Sequence, residues 1–285
     1  MPDQVVGASA PGEPDGKEPP DASNDSSAPD GKSQIQVGCA DLPPGLRRAR
    51  YFERLRYLEI EGTLHGLPKP SVITRWAAEI GSDGRLGLLA PEVISHNPGP
   101  RGYPRMKVAL LPEELAQAGA FRSTPVVSQA VEALARVTTA LRAEVVLFRS
   151  PADFSPSASH RDTLRHFFTE MARADLFGET LRVWEPQGLW EPEVAARLAG
   201  DMGVVYACDP LSNDPLALDR AFYASLPHSC AYFRLAGLGR AHHRFDEHAM
   251  TELCDLADGY DRTFIVFAHA ARYPDALRLQ KMLGS

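Results

Sequence analysis

The cadence of short apolar runs constrains this chain most. From residue 34 onward, eight strand-like segments recur: IQVGC (35–39), YLEIE (57–61), RLGLL (85–89), EVVLF (144–148), LRVWE (181–185), VVYAC (204–208), AYFRL (231–235) and FIVFA (264–268). Between them lie segments with helical periodicity, at 46–55, 71–80, 125–143, 160–174, 191–202, 245–259 and 273–284. Strand–helix alternation implies a parallel sheet, because parallel neighbours need a crossover, usually a helix. Eight such units in about 250 residues match a closed (β/α)8 TIM barrel. An open doubly wound sheet is the alternative, but no glycine-rich GxGxxG follows the first strand. The segment 97–124 is too long for an ordinary strand–helix loop. It follows the third strand, on the face where barrel active sites lie, and is expected to be a lid or an added subdomain.

Residues 1–33 break the cadence. They hold six Pro, four Gly, five Ser and seven acids against two lysines. Such a stretch buries too little apolar surface to offset its ordering entropy, so a disordered acidic tail is expected. It takes −5 of the formal net charge of −7, leaving about −2 for the rest. That near-neutral balance argues against a general nucleic-acid surface, though not against a local basic groove. No run of about 18 apolar residues is present, so no membrane span is expected. The N-terminus lacks the apolar stretch of a secretory signal, and the four cysteines show no CxxC spacing. Reduced thiols and a cytoplasmic location follow as expectations. Oligomeric state and cofactors are not specified by any motif.

Within a barrel, alternate strand residues face the interior. In YLEIEGT (57–63), Leu58 and Ile60 suit the helix side, which turns Tyr57, Glu59 and Glu61 inward. A buried carboxylate needs a partner. Arg234 on the seventh strand is the candidate, since Phe233 and Leu235 suit the helix side. Glu59–Arg234 is expected to be an interior ion pair. Glu61 lies nearer the C-terminal mouth, where barrel chemistry concentrates, and is a candidate catalytic carboxylate. His96 is the second, as general acid–base or anion contact. Arg149, Arg234 and Arg240 suit a carboxylate or phosphate ligand by bidentate hydrogen bonding. Glu59, His269 and Trp184 are further candidate ligand contacts, and Trp190 flanks the same loop as Trp184. Six histidines follow strand ends (His65, His96, His160, His242, His243 and His269). With Glu61, Glu185 and Asp209 they could supply a divalent-metal site, but no spacing of HExxH strength supports one, so no metal ligand is assigned. Cys208 would need an adjacent base to act as a nucleophile, and packing is the better reading.

The chain resembles the YecE-like proteins, the domain of unknown function 72 family, over about 34–285. VGCADL (37–42) is similar to the family's VGTSGW, without its tryptophan. YFERLRYLEIEGTLHGLP (51–68) resembles its segment containing VEINSTFY, with Glu59 on the family's Glu. SVITRWA (71–77) is similar to its V-x-x-WA helix. LGLLAPEVISH (86–96) resembles F-x-VKAP-x-x-ITH, with His96 on the family's His. YFRLAGLGR (232–240) is similar to YVRLHGRG, retaining Arg234 and Gly237, and FIVFAHAARYPDALRLQKML (264–283) resembles the closing strand and helix. The resemblance implies a TIM barrel of unestablished role. Several of the family's polar positions are exchanged here: Leu89, Arg149, Trp184, Pro186, Ala236, Ala268 and His269. Three functions follow as expectations. The first is a barrel that binds a small anionic or phosphorylated ligand at its C-terminal mouth. The second is a non-catalytic derivative with a binding or regulatory role. The third, by analogy alone, is a metal-dependent phosphodiester hydrolase.

Overall fold

Eight parallel strands pair in sequence order and close, β1 against β8, into a barrel. The computed structural model describes residues 33–106, 109–211, 222, 226, 229–237 and 244–284. The strands are β1 (Gln34–Ala40), β2 (Tyr57–Ile60), β3 (Arg85–Leu89), β4 (Val145–Arg149), β5 (Leu181–Glu185), β6 (Val205–Cys208), β7 (Cys230–Leu235) and β8 (Arg262–Phe267). All eight expected strands are present, and the barrel form is the one observed. Around them lie α1 (Arg48–Phe52), α2 (Pro70–Ile80), α3 (Glu92–Ser95), α4 (Pro112–Leu115), α5 (Pro125–Leu141), α6 (Ala158–His166), α7 (Ala174–Phe177), α8 (Pro192–Asp201), α9 (Glu247–Ala257) and α10 (Arg272–Leu283). Several start as their sequences dictate. Thr124, Ser157 and Asp246 accept hydrogen bonds from first-turn N–H groups of α5, α6 and α9, satisfying donors that a helix start leaves free.

The period-2 alternation sorts side chains into two cores. Val37, Leu58, Ile60, Phe148, Trp184, Phe233, Leu235, Ile265 and Phe267 pack outward under the helices. Ala40, Tyr57, Leu89, Val145, Leu147, Val183, Val205, Ala207, Tyr232, Phe264 and Val266 fill the interior. Gly87 on β3 pairs in register with Glu59. A Cβ there would stand 2.0 Å from the Tyr57 hydroxyl, so only glycine leaves room for that ring. The N-terminal end of the barrel is tied by charge. Glu144 forms ion pairs with Arg85 (2.8 Å) and Arg262 (2.6 Å) and accepts from Gln36 (2.8 Å). Conserving such ties at this end serves the scaffold, because barrel chemistry gathers at the other.

The structure departs from the sequence expectations at three places. The helix expected over 160–174 breaks into α6, a π-turn (Phe167–Met171) and α7. Buried Arg182 donates to the carbonyls of Phe168 (2.9 Å) and Ala172 (2.7 Å), taking up acceptors that the widened turn leaves unpaired. The segment 97–124 carries α4 and packs back onto the barrel, with Ala118 and Phe121 fully buried. Ser33 was grouped with the tail, yet its hydroxyl donates to Ala257 O (3.1 Å) and Tyr260 O (2.7 Å). The rest of that tail lies outside the described residues. All four cysteines are free thiols. Among the described residues, no helix is long and apolar enough to cross a membrane.

Candidate functional site

The C-terminal mouth is built around Arg234. Its guanidinium touches three carboxylates. Nε donates to Glu59 Oε1 (3.0 Å), Nη1 to Glu185 Oε1 (3.4 Å), and Nη2 makes a short contact with Glu61 Oε1. The interior pair expected between Glu59 and Arg234 is therefore present, with Glu59 fully buried and Arg234 7% exposed. Tyr232 adds a hydroxyl donor to Glu59 Oε2 at 2.6 Å and lies 3.2 Å from the Tyr57 hydroxyl. The polar column thus runs from the interior to the mouth. Burial pushes the Glu59 carboxyl up, with Arg234 and Tyr232 pulling the other way. Burial also opposes charge on Glu185, but Arg234 and Arg149 together outweigh it and hold that carboxyl below the ordinary glutamate value.

Arg149 closes the second half of the site. It pairs in register with Glu185, and its Nε donates to Glu185 Oε2 at 2.5 Å. Its Nη2 lies 3.9 Å from Glu61 Oε1 and is buried without a hydrogen-bond partner. Each guanidinium nitrogen of Arg234 contacts a carboxylate, whereas Arg149 Nη2 has no hydrogen-bond partner. The expected anion-binding roles of the two arginines consequently diverge.

Glu61 was expected to end β2, but it opens a 3-10 turn (Glu61–His65). The Asp41 carboxylate accepts the Glu61 N–H at 3.0 Å, diverting it from the ladder, and the Thr63 hydroxyl donates to Ile60 O and Leu89 O (both 2.8 Å). The turn places Glu61, 38% exposed, at the mouth. At its other end His65 Nδ1 meets Glu92 Oε1 at 3.2 Å. His96 follows α3, with Nδ1 2.8 Å from the Ser95 hydroxyl. Burial lowers the His96 pKa, helped by nearby Arg149 and His65 and opposed by Glu92 and Asp153. Its backbone is gripped by the returning long segment. The Tyr103 hydroxyl donates to His96 O (2.8 Å), and the N–H groups of Gly119, Ala120 and Phe121 donate to Val93 O, Ser95 O and Ile94 O. These three residues have positive φ (79°, 52° and 54°). A Cβ at Gly119 would stand 2.1 Å from His96 O, so this close approach requires glycine. The expected lid is thus in part a brace for His96.

Two expected ligand contacts point elsewhere. Trp184 is fully buried in the layer beneath the helices, edge-on to Trp190, and donates to the Ser150 hydroxyl at 3.3 Å. Strand alternation sends Val183 and Glu185 inward and Trp184 outward. His269 is also buried, with Nε2 3.0 Å from Asp275 Oδ2 on α10 and its ring against Phe245 and Phe267. Neither joins the cluster around Arg149. Cys208 packs under the helices, and burial raises its thiol pKa well above the ordinary value. Arg240, His242 and His243 lie outside the described residues. Among those described, no group of three or more His, Cys, Asp or Glu is arranged to hold a metal ion. Sequence reasoning gave Glu185 only as a possible metal ligand and missed Tyr232, Glu92 and Asp41. Register supplies the signal for Glu185, two residues beyond inward-facing Val183.

Solved structures share this architecture at low identity. A DUF72 family protein of Enterococcus faecalis V583 superposes with a TM-score of 0.62 at 13% identity, covering 90% of this chain and 99% of its own. A DUF72 family protein of Thermotoga maritima MSB8 gives 0.59 at 13%, covering 88% and 100%. A xylose isomerase domain containing protein of Salmonella typhimurium LT2 gives 0.51 at 13%, covering 87% and 96%. These likenesses establish the barrel fold. No curated protein matches the chain in sequence. The family model described as "Protein of unknown function DUF72" matches residues 39–285, nearly the whole barrel, and the chain belongs to that family.

Proposed function

We propose that this protein binds a small anionic ligand at the C-terminal mouth of its barrel, with Arg149 as the anion contact. The observation that carries the reading is the Arg149 Nη2 atom, buried and without a hydrogen-bond partner. A buried unpaired donor is costly, and a charged one more so, so such a group calls for an explanation. A carboxylate or phosphate oxygen would satisfy it with a charge-assisted hydrogen bond. Glu61 and His96 flank that position as the groups able to exchange a proton with the ligand. Arg234 serves a different role: each of its guanidinium nitrogens already contacts a carboxylate, and it holds Glu59, Glu61 and Glu185 in place. Its part in binding is to orient the carboxylates.

Titration calorimetry with inorganic phosphate and with acetate tests the reading. Saturable binding of at least one is expected, weakened roughly 10- to 100-fold by Arg149→Gln, the range that loss of one charged hydrogen bond implies. Equal binding by the wild type and Arg149→Gln would overturn it, as would no binding of either probe.

A further inference from the structure

We infer that the mouth selects a hydroxylated anion, a sugar acid or sugar phosphate, and that His65, oriented by Glu92, receives one of its hydroxyl groups. This rests on the anion-binding reading of Arg149 and names the ligand class for that same site. The argument begins with an inventory of free polar atoms. Arg149 Nη2 is a buried donor without a partner. The atoms around it are mostly acceptors. Glu61 uses Oε1 for Arg234, and among the described residues its Oε2 has no hydrogen-bond partner. An ionised carboxylate only accepts.

His65 and His96 share one feature. Each has Nδ1 anchored within the protein, His65 to the Glu92 carboxylate at 3.2 Å and His96 to the Ser95 hydroxyl at 2.8 Å. Among the described residues, Nε2 of neither ring has a partner. A carboxylate on Nδ1 fixes the tautomer: the neutral His65 ring carries its proton on Nδ1 and presents a lone pair at Nε2. The same logic orients a histidine as a base in carboxylate–histidine pairs generally. The 3-10 turn that carries Glu61 at one end carries His65 at the other, and α3 carries Glu92 next to the turn that carries His96. Glu92, Arg149 and His65 all lie within electrostatic reach of His96, which links these groups to one site.

A bare carboxylate seated on Arg149 would meet the lone pairs of Glu61 and His65 with no proton of its own to offer, and inorganic phosphate would bring only P–OH groups held on the anion itself. A ligand that combines an anionic group with hydroxyl groups satisfies both halves: oxygen accepts from Arg149, and hydroxyls donate to Glu61 Oε2 and His65 Nε2. A site built to bond hydroxyls discriminates strongly against analogues that lack them. The hydroxyl bonded to His65 Nε2 is also the one whose proton that ring could take, the resulting imidazolium being stabilised by Glu92.

Calorimetry with paired probes on the full chain tests this: inorganic phosphate against ribose 5-phosphate, and acetate against gluconate. At least one hydroxylated probe is expected to bind about tenfold or more tightly than its bare partner, the gain that two or three added hydrogen bonds supply. The pair that shows the gain identifies a sugar phosphate or a sugar acid. His65→Ala should erase that gain, with an unchanged circular dichroism spectrum showing that the variant is folded; His65→Gln, which keeps an acceptor, should restore part of it. Long-range 15N–1H correlation should find the neutral His65 ring protonated on Nδ1 in the wild type, with that preference lost in Glu92→Ala. Bare anions that bind as well as their hydroxylated partners would overturn this inference alone. A wild type that binds no probe would overturn it together with the anion-binding reading. A His65 ring protonated on Nε2 would overturn the hydroxyl-acceptor role.

Discussion

Arg234 shows how one buried side chain can organise a site. Its guanidinium holds Glu59 and Glu61, from β2 and the turn that follows it, and Glu185, from β5, within one hydrogen-bonding radius. Arginine suits this because its planar fork presents several donors at fixed angles and stays charged when buried. Breaking such a pair is far costlier than never having built it, since the partner carboxylates stay buried without compensation. Arg234→Met should therefore destabilise the barrel by about 3–5 kcal/mol in urea unfolding. Glu185 gives the cluster a pH signature. Its carboxyl is held below the ordinary value, so the stability it contributes is present above the unfolded-state pKa of about 4.3 and is lost as pH falls through the lower folded-state value. Unfolding midpoints measured across that acid window should fall steeply in the wild type and less steeply in Glu185→Gln. Equal slopes in the two proteins would contradict the assigned charge coupling. The Glu59–Arg234 pair was legible from strand alternation alone, but Glu185 as their third partner was not, because its role depends on which strand end faces which.

At the element scale, the strands were readable and the turns were not. Eight apolar runs gave eight strands because period-2 burial leaves a local signature that no helix shares. The 3-10 turn of Glu61–His65 left no such mark. It forms because Asp41 and Thr63 intercept groups that would otherwise continue the ladder, and Asp41 is distant in sequence. The π-turn after α6 is similar in kind, supported by Arg182 from the next strand. Gly87 shows an element-level constraint in the other direction. A methyl group there would stand 2.0 Å from the Tyr57 hydroxyl and 2.9 Å from Cζ. Gly87→Ala should cost about 1–3 kcal/mol through overpacking. Tyr57→Phe removes the nearer of those contacts, so a double-mutant cycle should show the two changes to be less than additive. Additive losses would place the strain elsewhere.

For the whole molecule, closure is the organising fact. Joining β1 to β8 leaves no free sheet edge among the eight strands and brings side chains 173 to 175 positions apart into contact, such as Glu61 and Glu59 with Arg234. Residues 1–31 have few large apolar side chains. Deleting them should leave the barrel's thermal midpoint within about 2 °C, as expected for a segment too poor in apolar groups to add to a core. A larger drop in calorimetry would mean that the segment contributes to the folded core. The sequence by itself determined the barrel, its strands, the inward turn of Glu59 and the pairing with Arg234, because alternation and cadence are local properties of the chain. Only the tertiary structure decided that Arg234 is spent on carboxylates while Arg149 keeps a free donor, and that Trp184 and His269 turn away from the mouth. It alone set His65 against Glu92. Those outcomes depend on strand register, on where a ladder stops and on which loops meet across the barrel, and such non-local geometry leaves no imprint on any single stretch of residues.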